Sequence, residues 1–383
     1  MHRYDKLNNY LMALLLLLFI TFILVLNLFK SNNIFSDSEN RNLEQLPVFS
    51  FQSLVSGKFT SNYEKYISDQ FMARDLWIGV KSDADRVLGK KESNGVYLSK
   101  DGFLIQKFSP PAAEDLKEKV RAINSFDKAT PALRKFVMLV PTAVRVLDNK
   151  LPDYVADNDE LMYTDKVKKS LRGDIGFLNL YPTLSSKKEE YIFYRTDHHW
   201  TSRGAYYGYL ALSEQMGFTP KEEAYFNIAK VTEDFYGSLY SKSGFKHLHP
   251  DSIELFTPKE KAAYKVEYVD GHQNTDSDSL YEMDNIRKKD KYTVFLNGNH
   301  PLVNITTGNP GGRKLLVVKD SYANCFIPFL APHFSEIYVV DLRFYEKSLN
   351  TLIFDNQIND MLLLYNVTTF FEDPSIKNIS EGI

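Results

Sequence analysis

The sequence has little cysteine and no excess of charge of either sign. Its 383 residues include one cysteine, Cys325, which excludes an internal disulfide and a zinc site built from several cysteines. The formal net charge is −3 and no long run of like charge occurs, so the basic surface typical of nucleic-acid binding is missing. A neutral polymer or a small molecule suits this balance better. Cys325 lies in an apolar run and is predicted to be a small core residue.

One long apolar run stands at the N-terminus. Residues 10–29 are almost entirely apolar, and a helix of that length, at about 1.5 Å per residue, crosses a hydrocarbon core of about 30 Å. Arg3 and Lys6 precede the run and acidic residues follow it, so the positive-inside rule puts residues 1–9 in the cytoplasm. A cleaved signal peptide is the alternative, although no Ala-x-Ala site follows. We predict a single-pass transmembrane helix that anchors an extracytoplasmic domain in the membrane.

The rest of the chain predicts an α/β fold. Polar residues and then helix-like apolar spacing predict a tether and an amphipathic helical lead-in over residues 30–92. In residues 93–383, continuous apolar strands alternate with helices, which is typical of a parallel sheet with helices on both faces. Residues 221–312 break the alternation, with short strand-like runs at 263–269 and 292–295. This stretch is predicted to be an irregular inserted subdomain that forms a side wall.

A polar hexad follows the short apolar strand predicted at Tyr191–Tyr194 and precedes a helix. The hexad is Thr196-Asp197-His198-His199-Trp200-Thr201, in which the last residue is the predicted helix N-cap. In an extended backbone, residues two apart share a face, so Asp197 and His199 would point one way and His198 and Trp200 the other. A carboxylate beside an imidazole can fix the tautomer of the ring and stabilise its protonated form.

The pair lacks a nucleophile, for which Ser321 is the best candidate. A buried-type strand predicted at Lys314–Val318 ends in a polar turn that contains Ser321 and precedes a helix. Ligands of open parallel sheets bind outside the carboxyl ends of the strands, so this turn and the hexad can meet at one edge. Amides of the helix N-terminus could then serve as oxyanion donors. Taken alone, a serine in such a turn is more often a capping residue, and an Asp-x-His pair is more often a structural hydrogen bond.

Other polar residues near the two segments are further candidates. Adjacent histidines raise the alternative of a metal site, in which Asp197 and His199 would need a third ligand such as His247 or His249. We predict no metal and no other cofactor, and we assign His198 to packing or to support of the site. Four residues are predicted to contact the substrate: Trp200, Tyr322, Asn324 and Arg343. For Trp200, a buried aromatic residue at the corner is the alternative.

These segments together resemble the DHHW protein family, which is related to the AlgX/AlgJ group of alginate acetyltransferases with an SGNH-hydrolase-like fold. The hexad and the turn at Lys319–Ala323 carry the resemblance. It extends over most of residues 36–366 through three further segments: Glu39–Leu43, Asp69–Arg74 and Val140–Thr142. The order Asp, His, Ser is permuted relative to ordinary SGNH hydrolases, and Lys319-Asp320-Ser321 departs from their usual Gly-Asp-Ser. The second oxyanion donor is therefore unassigned.

The resemblance implies a function as well as a fold. Ser321 would be the acyl-accepting nucleophile, His199 its general base and Asp197 the orienting acid. The protein would be an extracytoplasmic O-acetyltransferase that moves acetyl through an acetyl-serine intermediate onto hydroxyls of a cell-envelope polysaccharide or exopolysaccharide. A multi-spanning membrane acyltransferase is the implied partner that supplies acetyl. A carbohydrate acetylesterase with the same triad and a non-catalytic glycan-binding or assembly protein are the alternatives.

Overall fold

The computed structural model describes residues 2–36, 41–155, 159–271, 273–309 and 311–381. These residues form two compact units. The first unit contains the residues up to Lys90 together with Gly244–Lys246, and the second contains the remainder. Glu39 and Asn40, which contribute to the family resemblance, lie outside the described residues.

The first unit is built around helices. Its elements are α1 (His2–Phe29), β1 (Phe35–Ser36), β2 (Arg41–Asn42), α2 (Phe51–Val55), α3 (Lys58–Asp69) and α4 (Arg74–Val87). Within α1, the 26-residue span Tyr4–Phe29 is apolar enough and long enough to cross a membrane. Part of the predicted tether is bonded to α3, because Arg41 donates to both carboxylate oxygens of buried Asp69, at 2.8 and 2.5 Å. The predicted amphipathic helices form as α2, α3 and α4.

The second unit alternates strands and helices. Its helices are α5 (Ala113–Ala129), α6 (Ala143–Val146), α7 (Glu160–Ser170), α8 (Tyr181–Ser185), α9 (Ser202–Met216), α10 (Ser238–Ser243), α11 (Ile327–Leu330), α12 (Leu349–Asn356) and α13 (Val367–Glu372). Its strands are β3 (Glu92–Ser93), β4 (Val96–Leu98), β5 (Leu104–Gln106), β6 (Arg134–Val140), β7 (Gly176–Asn179), β8 (Phe226–Phe235), β9 (Asp251–Pro258), β10 (Tyr264–Asp270), β11 (Gln273–Ser277), β12 (Leu302–Thr307), β13 (Arg313–Lys319), β14 (Phe334–Val340) and β15 (Asp360–Asn366).

The main sheet has eight strands in the order β11-β10-β12-β14-β13-β15-β6-β7. The five strands from β14 to β7 in that order are parallel. Their centres are continuous apolar runs, such as Leu315–Val318, because strands covered on both faces have no solvent side to reserve for polar residues. Cys325 is buried, as predicted. The α/β fold with a large parallel-containing sheet is therefore confirmed.

Residues 221–312 are more regular than the sequence predicts. β10, β11 and β12 extend the main sheet as antiparallel strands, joined to it where β12 pairs with β14. β8 and β9 form a separate two-stranded sheet. The strand predicted at 263–269 is β10, whereas residues 291–294 form a 3-10 turn. The sequence does not predict β12 because this strand pairs with β14, which lies outside residues 221–312.

The hexad does not follow a strand of the sheet. Phe193 forms a single bridge with Trp200, and the chain turns back on itself between them. The Tyr194 N–H donates to the His199 carbonyl at 3.2 Å, which closes the turn. The prediction of an extended strand at this point is therefore wrong, and alternate hexad residues need not face opposite ways. The N-cap prediction is confirmed, since the Thr201 hydroxyl accepts from the Gly204 N–H at 3.3 Å at the start of α9.

The loop after β6 is held by a buried carboxyl group. Glu160, the first residue of α7, is fully buried and accepts hydrogen bonds from the N–H and the hydroxyl of Thr142, at 2.9 and 2.6 Å. Burial raises the pKa of Glu160 to about 7, against the opposing effect of these two hydrogen bonds. The folded protein therefore keeps a proton that the unfolded chain loses above about pH 4.5.

This difference predicts a pH-dependent contribution to stability. A folded-state pKa above the unfolded value favours folding at low pH, and the contribution is lost as pH rises from 4.5 to about 7. We expect the free energy of unfolding of the wild type to fall by about 3 kcal/mol across this window relative to Glu160→Gln. Urea unfolding of both proteins at pH 4.5 and at about pH 7 measures this change in the free energy of unfolding. The exposed Glu222→Gln is the control, and a Glu160→Gln curve parallel to the wild-type curve would contradict the prediction.

Candidate active site

Asp197, His199 and Ser321 come together at the carboxyl end of β13. Ser321 follows that strand in a short 3-10 turn. The Nε2 atom of His199 lies 2.7 Å from the Ser321 Oγ, and its Nδ1 atom lies 2.5 Å from the Asp197 Oδ1. Asp197 and His199 are buried, whereas Ser321 is partly exposed. The three side chains thus form one hydrogen-bonded chain that ends at an accessible hydroxyl.

The Asp197 carboxyl group is held in its ionised form. Burial alone would raise its pKa, but the adjacent His199 and His198 rings and hydrogen bonds from His199 and the Ser238 N–H hold it well below its ordinary value. The Ser238 N–H donates to Oδ2 at 2.7 Å, and the His199 N–H donates to Oδ1 at 3.0 Å. An ionised carboxylate at Nδ1 keeps the proton on that nitrogen. The Nε2 atom of His199 is then free to accept the proton of Ser321.

Gly237 lets the chain before α10 approach Asp197. A Cβ atom at this position would lie 2.2 Å from the Asp197 Cβ and 2.4 Å from its Oδ2. No side chain fits at such distances, so the glycine is required for the Ser238 N–H to reach the carboxylate. The sequence shows only a glycine in an irregular region and does not reveal this contact.

Asp251 fixes the loop that carries the hexad. Its carboxylate, at the start of β9, accepts from the N–H groups of Arg195 and Thr196, both at 2.8 Å. The hydroxyls of Thr196 and Tyr191 donate to the same carboxylate. Burial raises the pKa of Asp251, against these hydrogen bonds. Sequence reasoning missed Asp251, because nothing local links it to a segment more than fifty residues away.

Tyr292 packs on the imidazole of His199 and was also missed. Its ring is stacked on His199, with centroids 3.7 Å apart and an interplanar angle of 8°. Its hydroxyl donates to the Ser321 carbonyl at 3.2 Å. Tyr292 therefore touches both the base and the backbone of the serine, and it holds the ring of His199 in one plane. An aromatic residue in a region with many tyrosines gave no signal of this role.

His198 lies beside His199 rather than on the opposite face. The two ring centroids are 3.9 Å apart, because the hexad is bent and not extended. The Nδ1 atom of His198 is 2.6 Å from the Ser238 Oγ. Burial and the neighbouring His199 lower the pKa of His198 to about 3, so its ring is neutral at physiological pH. The expectation that His198 points away is wrong.

The bend also changes the metal alternative. Ligand atoms of Asp197, His198 and His199 lie within 4.8 Å of one another, and among the described residues this group includes neither His247 nor His249. The same Asp197 and His199 atoms are already used by hydrogen bonds within the triad. The third ligand of the metal alternative would be His198, not His247 or His249. That the site binds no metal stays a prediction.

Two of the predicted substrate contacts are buried inside the protein. Trp200 is fully buried, and its Nε1–H donates to the Tyr322 carbonyl at 2.9 Å. Asn324 is also buried, and its Nδ2 donates to the Gly298 carbonyl at 3.1 Å. Neither side chain is available to a sugar. Both instead hold the turn that carries Ser321, which corrects their assignment as substrate contacts.

Lys319, which stands where the usual Gly-Asp-Ser has glycine, and Asp320 are both buried next to Ser321. The buried Lys319 ammonium donates to Asn299 and Asn324 at 2.6 and 2.8 Å, and burial lowers its pKa to about 8. The Asp320 carboxyl accepts from the Tyr322 N–H at 2.9 Å and from Asn366 Nδ2 at 2.6 Å, and burial raises its pKa to about 6. Both side chains point into the protein, where they fix the backbone on either side of Ser321.

A polar cleft of ≈ 250 Å³ is lined by His198 and Tyr322, the sequence neighbours of His199 and Ser321, but not by the triad residues themselves. Most of its lining side chains carry a hydroxyl, amide, imidazole or charged group, including residues of α10 and α13, whereas α6 contributes the apolar Ala143 and Val144. The lining residues are Gln106, Thr142, Ala143, Val144, His198, Ser238, Leu239, Lys242, Tyr322, Asn366, Thr368, Thr369 and Glu372. Tyr322 borders the cleft but is buried, with its hydroxyl bonded to the His198 carbonyl, so its contact with substrate stays a prediction. Arg343 is not in this lining, and its guanidinium is paired with Asp341 at 2.8 and 2.5 Å.

Comparison with known proteins identifies relatives of this fold. The profile of the family described as "DHHW protein" matches residues 94–340. No curated protein sequence matches the chain. A DHHW family protein from Eubacterium siraeum is 25% identical, with a TM-score of 0.65 over 75% of this chain and 96% of that one. Bacillus cereus PatB1 with a sulfonyl adduct is 20% identical, with a TM-score of 0.64 over 75% of this chain and 98% of that one.

A more distant similarity is to the O-acetyltransferase domain of AlgJ from Pseudomonas putida, at 16% identity and a TM-score of 0.47, over 76% of this chain and 100% of that one. The family profile, by contrast, covers more than half of the chain and includes the hexad and Ser321. The chain therefore belongs to the DHHW protein family.

Proposed function

We propose that this protein is an O-acetyltransferase that uses Ser321 to move acetyl onto hydroxyl groups of an extracytoplasmic polysaccharide. The observation that carries the proposal is the hydrogen-bonded chain from the Ser321 hydroxyl through His199 to the ionised Asp197. Serine, imidazole and carboxylate in this order are the arrangement that nucleophilic acyl transfer requires. The resemblance of the sequence to the alginate acetyltransferase group suggests acetyl as the acyl group and a glycan as the acceptor.

The geometry supports a two-step reaction. In the first step, His199 Nε2 takes the proton of the Ser321 hydroxyl while its oxygen attacks the acetyl carbonyl, and the donor leaves with that proton. In the second step, a sugar hydroxyl gives its proton to His199 and attacks the acetyl-serine, and Ser321 regains a proton as it leaves. Asp197 stabilises the imidazolium formed in each step. The Tyr322 N–H donates to Asp320, which leaves the Ser321 N–H as the main-chain candidate for an oxyanion donor.

The cleft suits a hydroxyl-rich acceptor. Gln106, Ser238 and Thr369, none of which is buried, line it with groups that can both donate and accept hydrogen bonds. An acceptor held there would lie next to His198 and Tyr322, at the edge of the triad. A carbohydrate acetylesterase would use the same triad with water in the second step, and a glycan-binding protein would use the cleft alone.

Membrane attachment and the acetyl supply are parts of the same proposal. The apolar helix α1 would anchor the chain with its N-terminus in the cytoplasm and the second unit outside. Acetyl would then come from a multi-spanning membrane acyltransferase, as the family resemblance implies. A cleaved signal sequence is the alternative for α1, and detection of intact N-terminal peptides in membrane fractions by mass spectrometry would exclude it.

Replacement of the nucleophile tests the reaction directly. The full chain in detergent is incubated with 4-nitrophenyl acetate and candidate glycans, and acetylated glycan and free acetate are both measured. We expect Ser321→Ala to lower acetyl transfer by at least about 10³-fold, because no other group can form the acyl-enzyme. The exposed Ser186→Ala is the matched control and should retain wild-type turnover.

The products separate the alternatives. Acetylated glycan supports the transferase, free acetate alone supports the esterase, and neither product with an intact fold supports the binding protein. Wild-type turnover in Ser321→Ala would remove the triad from the mechanism. Capture of an acetyl group on Ser321 by mass spectrometry would identify the intermediate.

Asp197→Asn tests the role of the carboxylate. The variant keeps the size of the side chain but lets the amide donate to Nδ1, which favours the wrong tautomer of His199. We expect transfer to fall by about 10⁴-fold, as in serine proteases altered in the same way. The rate at which phenylmethylsulfonyl fluoride modifies Ser321 should fall as well. The exposed Asp174→Asn is the control, and an unchanged modification rate in Asp197→Asn would contradict the role.

Tyr292 is expected to position His199 rather than to react. Tyr292→Phe keeps the stacked ring, so phenylmethylsulfonyl fluoride should modify Ser321 in this variant at close to the wild-type rate. Tyr292→Leu removes the ring that holds the imidazole of His199, and modification of Ser321 should slow by about 10²-fold. The cavity left by leucine also lowers stability, so Tyr268→Leu, at a similarly buried tyrosine, is the control. Equal rates in Tyr292→Leu and Tyr268→Leu would show that loss of packing alone accounts for the effect.

A further inference from the structure

The helix α4 presents an apolar face that its own unit does not cover. Leu76, Trp77, Val80 and Val87 have exposed fractions of 61%, 40%, 53% and 87%. Their spacing puts them along one side of the helix. A row of exposed apolar side chains of this kind marks a surface that contacts another apolar phase.

The opposite side of α4 is already packed. Ser82 is buried, and the Arg86 guanidinium donates to the Lys246 carbonyl at 3.0 Å. Ile78 lies against Gly244: a Cβ atom added to Gly244 would be 3.0 Å from the Cγ2 atom of Ile78. The helix is therefore fixed in its unit by one face, and the row from Leu76 to Val87 is the face left over.

The beginning of α4 is tied to the end of the apolar helix α1. The Met72 N–H donates to the side-chain oxygen of Asn27 at 2.8 Å, and Asn27 lies in the last turn of α1. Lys30, just after α1, lines one cleft together with Arg74 and Leu76 of α4. At about 1.5 Å per residue, Trp77 and Val80 lie within about 10 Å of the start of α4 along its axis. The apolar row thus begins where the candidate membrane span ends.

We propose that this row, Leu76, Trp77, Val80 and Val87, lies in the lipid–water interface of the membrane that α1 crosses. Tryptophan with aliphatic residues on one face and charged residues such as Lys81 and Asp85 elsewhere is typical of a helix that lies in that interface. The short connection at Asn27 and Met72 favours the bilayer over a distant partner. This inference rests on the membrane anchor of the proposed function and is independent of the triad.

The chain contains its own reporter for the test. Its two tryptophans are Trp77 and Trp200, and Trp200 is fully buried. The full chain is placed in nanodiscs whose phospholipids carry bromine near the glycerol end of the acyl chains, which quenches only tryptophan at that depth. We expect part of the emission to be lost in brominated relative to ordinary nanodiscs, and we expect this loss to vanish in Trp77→Phe. Far-UV circular dichroism and turnover by Ser321 check that the variant folds.

Iodide in the aqueous phase distinguishes the other outcomes. Trp77 emission quenched by iodide and not by bromine would overturn the proposal, because the face would then be in water. Protection of Trp77 from both quenchers would also overturn it, in favour of a protein partner or a second copy. Failure of the chain to enter nanodiscs would overturn the anchor together with the interface, whereas entry without bromine quenching would overturn the interface alone. Neither result would affect the tests of Ser321.

Discussion

The buried carboxylate of Asp197 is the group on which the candidate active site depends. A charge out of water must be satisfied by hydrogen bonds, and this one takes them from the N–H and the ring of His199 and from the N–H of Ser238. Two of these donors lie in the hexad itself, whereas Ser238 lies in the region that follows α9. The site is therefore complete only when that region is folded against the loop. Gly237 makes this contact possible because a side chain there would overlap the carboxylate.

The same region supplies most of the remaining support. Asp251 holds the backbone at Thr196, and Tyr292 is stacked on His199. Residues 221–312 are thus the frame of the hexad rather than a wall beside it. This frame explains how the hexad keeps a bent conformation without a strand of its own. The bend, in turn, brings His198 next to His199, where an extended chain would separate them.

Local patterns predicted the parts of the protein whose structure is determined locally. The continuous apolar run Leu315–Val318 is enough to predict a strand covered on both faces, and the position of Ser321 directly after it predicts the sheet edge. Thr201 caps its helix through a residue three positions away. The triad could also be proposed, since its residue types and the family resemblance agree. The contacts that orient it could not, because they join segments that no periodicity connects.

The two residues wrongly predicted to contact substrate, Trp200 and Asn324, also depended on contacts that the sequence does not reveal. Trp200 directly follows His199 and Asn324 lies three residues after Ser321, and this closeness in sequence suggested contact with substrate. Both are buried, where Trp200 donates to the Tyr322 carbonyl and Asn324 to the Gly298 carbonyl. Lys319 behaves in the same way, since its buried ammonium needs the oxygens of Asn299 and Asn324. Whether a side chain near Ser321 points into the protein or towards the cleft depends on its orientation relative to the sheet. The local sequence does not reveal this orientation.

The choice between transfer and hydrolysis rests on the cleft rather than on the triad. An acetyl-serine reacts with whichever hydroxyl reaches it in line, and water is always present at high concentration. A sugar competes only if it is held in place, since a well-oriented neighbour gains an effective concentration far above that of any free solute. The cleft walls suit this task because they are braced: buried Glu160 holds Thr142, and the Tyr322 hydroxyl is bonded to the His198 carbonyl. In the proposed mechanism, this braced polar cleft is the feature that would let a bound acceptor compete with water.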